Sequence, residues 1–132
     1  MKKIDLGLFL LRLSVGGLML FHGISKLLGG IALIQGLLAS KGLPGFIAYG
    51  TIIGEVLAPL AILIGFRTRM ASAIYVFNCL VAIILVDIGQ FFTMTNEGGW
   101  ALELIALYLF GALALLFTGA GKIAVSTKSS WD

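Results

Sequence analysis

Charge is scarce in this chain: nine Lys or Arg, six Asp or Glu and one His among 132 residues. An ordinary soluble domain carries about 25% charged residues. So few, and so little clustering of the basic ones, exclude a nucleic-acid binder. Cysteine is nearly absent as well. Cys79 alone permits no intrachain disulfide, no Cys-x-x-Cys redox pair and no cysteine-rich metal site. One histidine and a few separated carboxylates show no metal-ligand spacing, so no metal is expected. No flavin, haem or iron–sulfur motif is present, and no β-barrel alternation.

What is there is apolar. Hydrophobic residues make up 60% of the sequence and the mean hydropathy is +1.12. Small domains leave much of their area exposed, so this surplus belongs in lipid rather than in a core. The length permits one domain, residues 1–132. Met1-Lys2-Lys3 followed by an apolar run superficially resembles a signal peptide, but it reads as the start of a retained first span.

Four stretches reach the roughly 20 residues needed to cross a hydrocarbon core: approximately 6–28, 46–66, 70–92 and 100–117. The expected fold is all-α, an integral membrane four-helix bundle, because helices satisfy their own backbone in lipid. Lys2, Lys3, Arg67, Arg69, Lys122 and Lys128 fall on one side, and only Lys26 and Lys41 on the other. The positive-inside rule places both termini in the cytoplasm. Arg67-Thr68-Arg69 joins the second and third spans as antiparallel neighbours. Between the first two spans, Ile31, Ile34 and Leu38 repeat at helical spacing before the stop Ser40-Lys41-Gly42-Leu43-Pro44. That spacing predicts a short interfacial or re-entrant helix. The polar tail after Lys122 is expected to be disordered.

Polar side chains within the spans carry the functional signal, because a mid-bilayer charge costs about 2.5–3.5 kcal/mol on insertion scales. Arg12, His22 and Lys26 share one stripe of the first span at about 100° per residue. Glu55 lies in the second span and Glu103 in the fourth; the third holds Asn78, Asp87 and Gln90. Depth matching groups His22, Lys26, Glu55 and Glu103 in the outer half, with Arg12 deeper. His22 and Glu55 are the expected catalytic pair, since imidazole carries protons near neutral pH. Arg12, Lys26 and Glu103 are the expected ligand-binding residues. The competing reading for each is buried polar glue or an interfacial anchor. Gly50-x-x-x-Gly54 and Gly16-Gly17 suit close helix approach. Pro59 removes a backbone donor and frees the Glu55 carbonyl. Trp100, Phe91 and Phe92 fit an aromatic belt, and Cys79 reads as packing.

The run Arg12…Gly16-Gly17…His22-Gly23-Ile24-Ser25-Lys26 resembles the first span of the DoxX/DoxD-like membrane proteins. Gly54-Glu55, Pro59-Leu60 and Gly65-Phe66-Arg67-Thr68-Arg69 resemble that family's second span and basic turn. Glu97-Gly98-Gly99-Trp100-Ala101-Leu102-Glu103-Leu104 resembles the entry to its fourth. The resemblance covers nearly the whole chain. It departs after Gly119-Ala120-Gly121-Lys122, where Ile123-Ala124-Val125-Ser126 replaces the usual tyrosine- and serine-containing stretch. It implies a four-helix bundle in the bacterial inner membrane, with quinone-linked oxidoreduction or partnership with redox proteins as the associated roles.

The expected function is therefore a redox-accessory subunit that binds a quinone-like molecule in the polar cluster. Nothing in the chain supplies electrons, so a redox partner protein is implied; any enzyme would be a quinone-linked oxidoreductase of which this is one part. The alternatives are a non-catalytic assembly subunit and a small transporter acting as a homo-oligomer. Nucleic acid is not an expected partner.

Overall fold

The computed structural model describes residues 3–84, 89 and 92–132, excluding the side chains of Lys26 and Leu33. Asp87, Gln90 and Phe91 lie outside the described residues, as does the Lys26 side chain. Among the described residues the fold is all-α, with one isolated bridge between Met94 and Trp100. The helices are α1 (Lys3–Gly29), α2 (Ile31–Ser40), α3 (Ile47–Ile64), α4 (Thr68–Ala82) and α5 (Glu103–Thr118). By length and composition α1 and α3 are able to cross a membrane, while α4 and α5 are shorter apolar helices. The expected helix between the first two spans is α2, closed where Lys41 and Gly42 turn back onto Leu38 and Ala39.

Many large apolar residues face outward, and several small ones line the helix contacts. Phe21, Phe77, Leu107, Phe110 and Phe117 are exposed, whereas Ala58, Ala71, Ala112 and Cys79 are buried. The core adds Val15, Met19, Ile62, Tyr75, Tyr108 and Leu115 to these. Helices that pack in lipid use small residues at their contacts, and an apolar exterior this extensive would not suit water.

Both long helices carry a π-helical segment, Leu13–Leu18 in α1 and Ile53–Leu57 in α3. The second has a local cause: Pro59 cannot donate to Glu55, and its ring crowds that carbonyl. The widened turn is packed rather than loose. A β-carbon at Gly16 would lie 2.6 Å from the Pro59 carbonyl oxygen, and one at Gly23 would collide with the Glu55 carbonyl. The two glycines thus let α1 lie against the backbone of α3. From α4, the Tyr75 hydroxyl donates to the Val15 carbonyl at 2.9 Å, inside the π segment of α1.

The tail corrects the expectation of disorder. Val125 N–H donates to the Ile64 carbonyl (3.2 Å) and Ser126 N–H to that of Gly65 (3.1 Å). Lys122 N–H donates to Asp5 Oδ1 at 3.1 Å. The Trp131 carbonyl accepts from Arg69 N–H at 2.9 Å. Helix ends leave carbonyls without partners, and the tail supplies them. Gly65, at φ +79°, makes the turn in which a β-carbon would strike Ala124 and the Arg12 guanidinium.

Candidate functional site

Glu55 is a carboxylate that the fold encloses at mid-helix, at 5% exposure. It sits within the π segment of α3, and its Oε1 accepts from Asn78 Nδ2 of α4 at 3.4 Å. That is long for a hydrogen bond. Gly54 sets the approach: a β-carbon there would fall 2.5 Å from the Asn78 side chain. The acid and the amide therefore meet where the two helices lie close together.

Two compartments open from this pair. One lies under α2, is lined by Ile34, Leu37 and Leu38 of that helix and Lys41 just after it, with Thr51, Glu55 and Asn78, and encloses about 80 Å³. The other is a groove of about 310 Å³ between α3 and α4. Its walls are Ile47, Gly50, Thr51 and Gly54 on one side and Ile74, Phe77, Asn78 and Val81 on the other. Both stripes run i, i+3, i+4, i+7, which is one face of a helix; the α2 stripe has the same spacing. Ile47, Thr51, Asn78 and Val81 border both compartments, so the two lie side by side as a cleft in two parts with polar residues between them. Ligand sites are mostly apolar with a few placed polar groups, and this cleft has that character.

The other expected site residues are placed elsewhere. Arg12 is 1% exposed, and its guanidinium faces the basic-turn end of the helices. It donates to the carbonyls of Ile62 (2.8 Å), Leu63 (2.9 Å) and Ala120 (3.3 Å), and also to that of Ile123. A guanidinium so engaged closes helix ends rather than facing a ligand. His22 is exposed and meets the Tyr108 ring edge-on, centroids 6.0 Å apart. Glu103 is exposed in the first turn of α5, close to Gly99. His22 therefore lies against Tyr108 and Glu103 against Gly99, whereas Glu55 meets Asn78.

Asn78, Thr51 and Lys41 enter the site without having been singled out for it. Asn78 was visible as a polar residue in an apolar run, but its register against Glu55 is a tertiary fact. Lys41 was visible as a helix stop and as one of two basic residues on the outer side.

At the basic-turn end, Asp132 organises the tail. Its carboxylate accepts from the Ser126 hydroxyl (2.7 Å), Ser129 N–H (2.7 Å) and Arg67 N–H (3.2 Å), with the Arg67 guanidinium 3.5 Å away. The Ser126 hydrogen bond, followed by those from the backbone and the Arg67 charge, holds this carboxyl below its ordinary value.

Comparison with known proteins gives a family. Residues 7–88 match the model of the DoxX family. A protein of Bacillus subtilis (strain 168) named "Putative oxidoreductase CatD" is 31% identical over 108 residues, covering 82% of this chain and 80% of its own length. No solved structure matches the chain.

Proposed function

Since this chain belongs to the DoxX family of membrane proteins, we propose that it is a redox-accessory subunit holding a quinone-like molecule at Glu55 and Asn78. The observation that carries the reading is the enclosed carboxylate, with a half-buried amide beside it, in an otherwise apolar cleft. A quinone ring has two carbonyl acceptors that become hydroxyl donors on reduction. The Asn78 amide donates and accepts, and Glu55 accepts as a carboxylate and donates when protonated. The pair therefore suits both forms of the ring. Reduction to the hydroquinone takes two electrons and two protons. Electrons would come from a partner protein; protons would pass through Glu55, with His22 as a second proton-carrying side chain on the outer side. Arg12 belongs to the scaffold in this reading.

The same proposal sets the chain in the bacterial inner membrane as four spans, near 6–28, 46–66, 70–92 and 100–117, with both termini cytoplasmic. The one-sided basic residues support it. The name of the Bacillus subtilis relative favours redox chemistry in general. A second reading is an assembly subunit, favoured by the Glu55–Asn78 bond acting as interhelical glue.

Purification in mild detergent, extraction and mass spectrometry for quinone test the choice. Near-stoichiometric quinone in the wild type, lost in correctly folded Glu55→Gln and Asn78→Leu, supports the site. Trace quinone, equal in all three, rejects it and leaves the assembly reading.

A further inference from the structure

The polar end of the cleft is its narrow end. The compartment holding Glu55 encloses about 80 Å³, whereas benzene enters an apolar cavity of about 150 Å³. No ring fits there whole. The groove beside it, at about 310 Å³, falls in the range of about 300–1,000 Å³ typical of ligand sites. A ring hydrogen-bonded by Asn78 must therefore lie in the groove, and any substituent it carries must run outward.

Outward, the groove has an open side. α3 presents no side chain at Gly50, where a β-carbon would have no atom within 4 Å. Across from it, Phe77 is 69% exposed and Ile74 37%. Both belong to the apolar exterior that faces lipid, so the opening leads into the bilayer and not to water.

We infer that the Gly50 face is a lateral portal and cradle for one long apolar chain attached to the ring. The site accordingly takes a membrane-resident, long-tailed quinone from within the bilayer and selects against a tail-less soluble one. The inference rests on the proposed role of Glu55 and Asn78. Its own support is that Asn78, with Thr51, lines the groove as well as the compartment of Glu55.

The test uses the full chain in detergent and two probes: dimethoxy-methyl-benzoquinone without a tail, and the same ring bearing a decyl chain. Affinities are corrected for partition into protein-free micelles. Gly50→Leu fills the groove, and leucine is a better helix former than glycine, so thermal unfolding checks that the fold is kept. The ratio of decyl to tail-less affinity is expected to exceed one in the wild type and to fall at least about tenfold in the variant. Ile74→Phe narrows the groove from the opposite wall and is expected to lower the ratio as well. A ratio that does not move in either variant overturns the inference, because the groove then holds bulk lipid or nothing. Equal corrected affinities in the wild type also overturn it, while leaving Glu55 and Asn78 as a ring site. A wild type that binds neither probe overturns the proposed function and this inference together.

Discussion

The Arg12 guanidinium reaches the Ile62 carbonyl at 2.8 Å, tying α1 to the last turn of α3. Three more carbonyls, on Leu63, Ala120 and Ile123, accept from the same fork. Hydrogen bonds to charged groups contribute about 1.5–3 kcal/mol each, and a planar fork serves several acceptors where an ammonium cannot. Arg12→Met is expected to destabilise the protein by at least about 3 kcal/mol in denaturant unfolding. Arg12→Lys should recover less than half of that. A lysine variant as stable as the wild type would show that charge alone, not the fork, holds this end together.

The Glu55–Asn78 contact supports a sharper separation of site from glue. At 3.4 Å it is a weak bond, and polar pairs between membrane helices average about 0.6 kcal/mol. A double-mutant cycle with Glu55→Gln and Asn78→Leu should therefore give an unfolding coupling below about 1 kcal/mol. Quinone affinity, by contrast, should fall about tenfold or more in each single variant. Coupling above about 2 kcal/mol with unchanged affinity would be the signature of an assembly subunit.

Asp132 gives the tail a pH dependence whose sign is fixed. Its folded carboxyl lies below the ordinary value of 3.8, chiefly through the Ser126 hydroxyl. The stabilisation is therefore fully present above pH 3.8 and is lost as pH falls through the lower folded value. Trp131 reports it, since its carbonyl is held by Arg69 in the same dock. In a Trp100→Phe background, Trp131 emission should be constant from neutral pH to about 4 and shift only below that. Asp132→Asn should show the shifted emission already at neutral pH. A transition centred near pH 6 would place the switch on another group.

How far the sequence disclosed this arrangement depended on where each partner lies. The helix Ile31–Ser40 was legible because Ile34 and Leu38 share a face and Lys41 to Pro44 end it. Pro59's effect on the Glu55 carbonyl was legible because it acts four residues away along one chain. Arg12 was not, because its partners are backbone carbonyls that any residue presents; a buried arginine reads alike whether it holds a ligand or a helix end. The tail was misread for a related reason. Its hydrogen bonds come from backbone groups and serines, whose composition also describes disordered chain. Asn78 was visible as a polar residue in an apolar run, but which carboxylate it faces depends on how α4 slides against α3, and nothing local fixes that slide.

That dependence on close backbone approach makes the glycines of α1 a test of the packing within a single helix. A methyl at Gly23 would run into the Glu55 carbonyl, and one at Gly16 would meet that of Pro59 at 2.6 Å. Neither obstacle is a flexible side chain, so α1 and α3 must separate, at a cost typical of overpacking, about 1–3 kcal/mol. Gly17 is adjacent in sequence, but a β-carbon there would find only Leu63 Cδ1, at 3.8 Å. That is ordinary contact, and alanine gains up to about 1 kcal/mol over glycine in a helix. Gly23→Ala and Gly16→Ala are therefore expected to lower the unfolding midpoint, and Gly17→Ala to leave it unchanged or raise it. Because the Gly23 collision is with the residue that carries the candidate carboxylate, Gly23→Ala should also weaken quinone retention more than Gly16→Ala does. Equal behaviour of all three variants would mean that α1 does not rest on the α3 backbone, and the geometry of the Glu55 site would have to be redrawn.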